Sequence, residues 1–226
     1  MDIKCICISL KECEKERILI KKEVNKLGLD VDYHIVNRSP LGSVHGCFTS
    51  HIEALKSALR CKDKYIMILE DDAYFDPCNI NKIYQFIETL PKTCWCFAFG
   101  YLTSSLSSKI NKNIHTLTNC QCAHAYLVPR QTAKRLINMQ WNQIPYDYEW
   151  NKYIDIFYVP YPMIAFQRDH PSSIQSNVKS YVFNTLGYRT IANLSETWSN
   201  YAIIIIFFIV IFLIIIYIMI KKNYYK

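Results

Sequence analysis

The sequence of 226 residues predicts an α/β domain built on an open sheet, followed by one membrane-spanning helix. Three observations carry that prediction. Short, nearly continuous apolar runs alternate with charged segments of helical period, as expected of strands covered on both faces and the helices that cover them. Three consecutive acids, Glu70, Asp71 and Asp72, stand directly after one of those apolar runs. Finally, residues 202–220, AIIIIFFIVIFLIIIYIMI, carry no charge at all.

The first element is IKCICISL (3–10), a strand, and the charged periodic segment 14–27 is a helix ended by Gly28. DVDYHIVNR (30–38) is the next strand, so strand, helix and strand open a sheet with right-handed crossovers. After a loop at 40–42, CFTSHIEALKSALR (47–60) has helical period through Ile52, Leu55 and Leu59, and KYIMILE (64–70) is an interior strand. NINKIYQFIETL (79–90) is an amphipathic helix entered from Asp76 and Pro77 and stopped by Pro91, and CWCFAFG (94–100) is a strand closed by Gly100.

Residues 102–119 are rich in Ser, Asn, Lys and Thr without clear period and are expected to be a surface loop. AHAYLV (123–128) is a strand running into the helix PRQTAKRLINM (129–139), with Pro129 near its first turn. A short helix, a strand and a polar loop fill 144–174. The expected organisation is therefore a domain over 1–176, a polar connector over 177–200, a membrane helix over 201–220 and a basic tail over 221–226.

As a helix the uncharged run is about 28 Å long, close to the ~30 Å hydrocarbon core of a bilayer, where only a helix satisfies its own backbone. Asp2, Lys4, Lys11, Glu12 and Glu14 interrupt the one early apolar stretch, so no signal peptide is expected. The simplest topology is a single-pass tail anchor with a cytosolic catalytic domain. Lys221, Lys222 and Lys226 alone favour the opposite orientation, and the missing export signal outweighs them.

Twenty-six basic residues against 19 acidic give a net +7, and three of the lysines lie beyond the span. So modest a surplus suits a small anionic substrate and offers no basic stripe for nucleic acid. The ten cysteines include three C-x-C pairs, at 5 and 7, 94 and 96, and 120 and 122. Neighbours so spaced on strands do not pair readily, and no matched C-x-x-C pairs suggest structural zinc, so reduced thiols are expected.

Adjacent carboxylates repel one another and lose solvation near a core, so such a triplet needs a partner, for which a cation is the obvious candidate; a solvated loop is the plain alternative. Ligands of open α/β sheets bind beyond the carboxyl ends of the strands, where Glu70, Asp71 and Asp72 fall. On an extended chain Glu70 and Asp72 face one crevice while Asp71 turns elsewhere. Hard oxygen ligands of this kind select Mn²⁺ or Mg²⁺, which keep positions open for phosphate oxygens.

Several motifs in one order, ICISL with Arg17, HGCFTSHIEAL, ILEDDA, AYLVPRQTAKRLI, PYD and SSI, resemble glycosyltransferase family 25, the lipooligosaccharide and procollagen galactosyltransferases. The resemblance runs over about 3–174. It implies a GT-A type, Rossmann-like nucleotide-diphospho-sugar transferase fold. It also implies a divalent metal and inverting transfer of a hexose, galactose or glucose, from a UDP-sugar donor to a glycan, lipid or protein acceptor.

On that resemblance Asp72 is the principal metal ligand, Glu70 or Asp71 helps bind the ribose or a metal water, and Arg17 meets the nucleotide. Ser50 and His51 match an S-H pair at a helix start near Gly46 that could face the diphosphate. Asp147 is the candidate base that takes the acceptor proton, with Glu149 in reserve; an N-cap role for Asp147 is the plain alternative. Arg168 could meet phosphate and His170 could be a further metal ligand. Trp141 and Trp150 could stack on sugar faces, although aromatics beside a helix are more often packing.

The rival reading is a catalytically inactive relative kept as a sugar- or partner-binding module at a membrane. A metal-dependent phosphotransferase ranks lower, because the sequence has no G-x-x-x-x-G-K loop.

Overall fold

A computed structural model describes residues 2–168 and 188–224. Its centre is an eight-stranded mixed sheet in the order β2-β1-β3-β8-β5-β9-β7-β6. The strands are β1 (Ile3–Leu10), β2 (Asp32–Val36), β3 (Tyr65–Glu70), β5 (Trp95–Ala98), β6 (Ser108–Asn111), β7 (Ile114–Leu117), β8 (Ala125–Pro129) and β9 (Ile156–Pro160). Two short strands, β4 (Ala73–Phe75) and β10 (Ala165–Gln167), pair antiparallel beside the sheet.

Alternation along the strands builds a core on each face. Ile6, Ile66, Ile68, Cys96, Ala98, Tyr126 and Val128 bury one face under helices α2 (Ser43–Ala58), α4 (Arg130–Leu136) and α5 (Tyr146–Glu149). Cys5, Cys7, Met67, Leu69, Trp95, Phe97 and Leu127 bury the other under α1 (Glu14–Lys26) and α3 (Ile80–Glu88). That double cover is why the strands read as unbroken apolar runs. All ten cysteines are free thiols, as the spacing predicts.

The chain passes from β1 through α1 to β2 on one side, then returns through α2 to β3 on the other side of β1. The carboxyl ends of β1 and β3 therefore flank a topological switch point, where open α/β sheets bind ligands. Strand β8 enters antiparallel beside β3, so its preceding residues arrive at the same edge.

Three expectations are corrected. The surface loop expected over 102–119 contains the β6–β7 hairpin; β6 is exposed, but Ile114 and Leu117 of β7 are buried and β7 pairs with β9. Helix α2 begins at Ser43 behind Gly42, whose φ of 96° ends the preceding turn, so Gly46 lies a full turn inside the helix and its N–H is bonded to Gly42 O. From Tyr188 onward the expected connector is already helical, and one helix, α6, spans Tyr188–Tyr224.

The beginning of α6 is seated on the domain. Glu196 Oε1 accepts from Met163 N–H (2.7 Å) and the Tyr101 hydroxyl (3.1 Å), while Ser195 Oγ bonds Thr103 N at 2.9 Å and Thr103 O at 3.1 Å. Ser107 donates its N–H to Ser199 O at 2.9 Å, and Arg189 pairs with Asp76 and lies over the Phe166 ring. Beyond this seat the apolar side chains from Ile203 to Ile214 are exposed, and Arg189–Ile214 is long and apolar enough to cross a membrane.

Candidate active site

Strand β3 ends at Glu70, and the pleat sends Glu70 toward α2 and Asp71 toward α1. Asp72 follows in the turn to β4. The β4–β10 pairing sets Gln167 opposite Ala73, and Gln167 Nε2 donates to Glu70 Oε2 (3.0 Å) and Asp72 Oδ2 (3.2 Å). Glu70 and Asp72 thus share one crevice, and Asp71 lies on the α1 side near Ser9.

Their electrostatics is that of anions short of a cation. Asp72 Oδ1 and Asp71 Oδ2 are buried without a hydrogen-bond partner among the described residues. Burial, then the charges of Glu70 and Asp71, push the Asp72 carboxyl well above the ordinary range. Asp71 is likewise raised, first by burial. A buried acceptor left unpaired costs about 1–3 kcal/mol, so these two oxygens carry a cost that nothing among the described residues offsets.

Glu70 is the exception, held below the ordinary range although burial opposes it, because His51 pairs with it. His51 Nε2 lies 3.3 Å from Glu70 Oε1 and Nδ1 lies 3.2 Å from the Tyr126 hydroxyl. Its ring is stacked on Tyr146 with centroids 4.3 Å apart. Cys47, one turn earlier on α2, places Sγ 3.9 Å from the same Glu70 oxygen. Beneath them His124 is buried, and burial pushes its imidazole down to about 4, so it is neutral near pH 7. Gly100 makes that layer possible: a Cβ there would stand 2.1 Å from Ala165 O and 2.4 Å from His124 Nε2.

Asp147 closes the other side. Its Oδ2 accepts the Cys122 N–H at 2.8 Å, and Cys122 adopts a φ of 75° in doing so. Burial raises the Asp147 carboxyl, the Cys122 N–H opposes that, and the Glu70 charge adds to it. The N-cap position of α5 is Pro145, so capping is not what Asp147 does here.

A family model described as glycosyltransferase family 25 (LPS biosynthesis protein) matches residues 33–150, just over half of the chain. The chain belongs to glycosyltransferase family 25. The matched stretch holds Cys47, His51, Glu70, Asp71, Asp72 and Asp147. Among solved structures, the A197 protein from STIV is similar over 78% of this family 25 chain and all of its own, with TM-score 0.50 and 16% identity. A glycosyltransferase involved in glycosylation of the major capsid of PBCV-1 matches over 66% of the chain and 73% of its own (TM-score 0.42, 15% identity). UDP-glucose pyrophosphorylase complexed with UDP-glucose matches over 71% and 91% (TM-score 0.42, 8% identity). No curated protein sequence matches the chain.

Within this family 25 domain several expected contacts are spent elsewhere. Ser50 Oγ donates to Gly46 O at 2.6 Å, a back-bond within its own helix, so the S-H pair sits in the middle of α2 and not at an open N-terminus. Glu149 is held by Lys152 (2.8 Å) and Asn142 (3.2 Å), which makes it a poor reserve base. Arg17 lies beside the switch point, but its guanidinium is bonded to Ser9 Oγ, Leu10 O and Lys11 O. Arg168 faces the carbonyls of Asp71 and Ala73 and the Glu23 carboxylate. Trp150 is fully buried and Trp141 packs on Phe48 and His45, so both are packing residues. His170 and Asp169 lie outside the described residues.

The residues missed from sequence are Cys47, Gln167, Tyr126, Tyr146 and the Cys122 N–H. Cys47 had a signal, its spacing of four from His51 on a helix; Gln167 and Tyr126 arrive through strand pairing, Tyr146 through the seating of α5, and the Cys122 N–H through a loop with a positive φ, none of which is local in the chain.

Proposed function

We propose that this family 25 glycosyltransferase moves a hexose, galactose or glucose, from a UDP-sugar to an acceptor hydroxyl with inversion, at a membrane crossed by α6. The observation that carries the reading is the buried Asp72 carboxylate oxygen, without a partner among the described residues, beside Glu70 and Asp71 at the switch point. An all-oxygen set of this kind fits Mn²⁺ or Mg²⁺, with Asp72 and Glu70 as the holding residues. When bound, such an ion supplies charge stabilisation for the departing diphosphate.

The chain's own residues do the rest. Asp71, on the α1 side near Ser9, is placed to accept from the nucleotide's ribose. Asp147, with one oxygen fixed by Cys122 N–H, has its other oxygen to take the acceptor proton. Gln167 holds Glu70 and Asp72 at a set separation, which preorganises the site. The acceptor is a glycan, lipid or protein hydroxyl, and a cytosolic domain on a tail anchor is the topology we favour.

The test uses the full chain in detergent micelles with a panel of UDP-hexoses, with and without Mn²⁺. Metal-dependent UDP release, lost in Asp72→Asn, is the expected result. Sugar-nucleotide binding without turnover would instead identify an inactive binding module, and metal-independent release would overturn the metal assignment.

A further inference from the structure

Helix α2 carries Cys47 and His51 four residues apart, so both side chains leave the same face. That face meets the end of β3, where Glu70 Oε1 stands 3.3 Å from His51 Nε2 and 3.9 Å from Cys47 Sγ. The three ligand atoms all lie within 4.8 Å of one another. A tetrahedral ion at its ordinary ~2.0–2.3 Å bond lengths sets its ligands about 3.3–3.7 Å apart. The two separations to Glu70 Oε1 are within a few tenths of an ångström of that requirement, and the Cys47–His51 separation, no more than 4.8 Å, can close to it by side-chain rotation.

The surroundings are also those of a metal site. An imidazole ligand needs a partner on its other nitrogen to fix tautomer and orientation. His51 Nδ1 has the Tyr126 hydroxyl at 3.2 Å, and that hydroxyl bonds the Tyr146 hydroxyl at 3.0 Å. Glu70 keeps Oε1 for the cluster because Gln167 holds Oε2. The His51 imidazole and the Cys47 thiol both bond Glu70 Oε1, the thiol at a long 3.9 Å, so two ligand atoms already converge on one carboxylate oxygen.

We propose that Cys47, His51 and Glu70 form a binding site for a zinc-class divalent ion, adjacent to the all-oxygen set at Asp72 and joined to it through the Glu70 carboxylate. Sulfur and imidazole select a borderline ion over Mg²⁺ or Mn²⁺. Three protein ligands leave a fourth position open, as in zinc sites that take a further ligand. Binding converts the Cys47 thiol to thiolate and releases its proton to solvent. The site stands on these contacts and does not depend on the transferase reading.

Cobalt(II) is the probe, because a thiolate ligand gives it a near-ultraviolet charge-transfer band that oxygen and nitrogen ligands do not. The reduced, metal-free full chain in detergent micelles is titrated with Co²⁺. One equivalent develops the band, zinc removes it, Cys47→Ser abolishes it, and His51→Gln weakens Co²⁺ binding at least tenfold. No band at one equivalent, or an unchanged band in Cys47→Ser, overturns the proposal. A second measurement needs no variant: one equivalent of Zn²⁺ slows iodoacetamide alkylation of Cys47 at least tenfold and leaves the exposed Cys78 unaffected. Equal rates with and without zinc at Cys47 overturn it as well.

Discussion

Asp147 shows how one residue's surroundings choose its chemistry. Its carboxylate is buried, raised by that burial, and tethered through a single oxygen to Cys122 N–H. Asp147→Asn keeps an oxygen for that tether but cannot take a proton, so UDP-hexose transfer is expected to fall about 10²- to 10⁴-fold with the fold intact. The sign of the pH dependence follows. In the proposed role of base Asp147 acts only when deprotonated, so kcat/KM is expected to rise as pH climbs through the Asp147 value, which burial raises above the ordinary aspartate range. The acid limb of the wild-type profile is expected to disappear in Asp147→Asn. The Asp and its partner differ in legibility: an acid in PYD is visible in sequence, whereas the left-handed Cys122 that aims an amide at it is a backbone fact.

At the scale of elements, α6 is the one whose role changes most between sequence and structure. Its polar first turns read as a connector because they lack an apolar stripe, yet they dock through hydrogen bonds: Glu196 to Met163 and Tyr101, Ser195 to Thr103. Glu196→Ala leaves a backbone N–H and a phenol buried without their acceptor, a loss of about 1–3 kcal/mol. Faster amide hydrogen exchange at Met163, with exchange in β1 and β3 unchanged, is the expected reading. The β6–β7 hairpin escaped for a related reason, since β6 is wholly exposed and its existence depends on β7 pairing with β9. By contrast β1, β3, β5 and β8 were legible because double-sided burial imposes apolar runs that no surface loop carries, and α1 because its charged sequence keeps a helical period.

At the scale of the whole molecule, the docked start of α6 joins the candidate membrane helix to the sheet that bears the site. Arg189 lies over Phe166 of β10, one residue from Gln167, which holds Glu70 and Asp72. If α6 crosses a membrane as proposed, a docked link of this kind would fix the height of the crevice above the bilayer, as a flexible connector would not. The membrane part is checked with Ile211→Arg, which puts a charge near the middle of the apolar run at a cost of about 3 kcal/mol. The variant is expected to shift measurably from the carbonate-resistant membrane fraction to the soluble or aggregated one. Unchanged membrane retention would count against a span.

By itself the sequence determined the alternation of strands and helices, the place of the acids at a strand end, the reduced state of the thiols and the uncharged length of the last helix. Each is written locally, in the period of burial or in the run of residue types. Only the tertiary structure decided that Gln167 joins Glu70 to Asp72, that Cys47 and His51 converge on that same Glu70, and that residues 188–200 grip the domain. Those arrangements are contacts between segments far apart in the chain, set by strand register and helix seating, and no local pattern encodes which partner a side chain will meet.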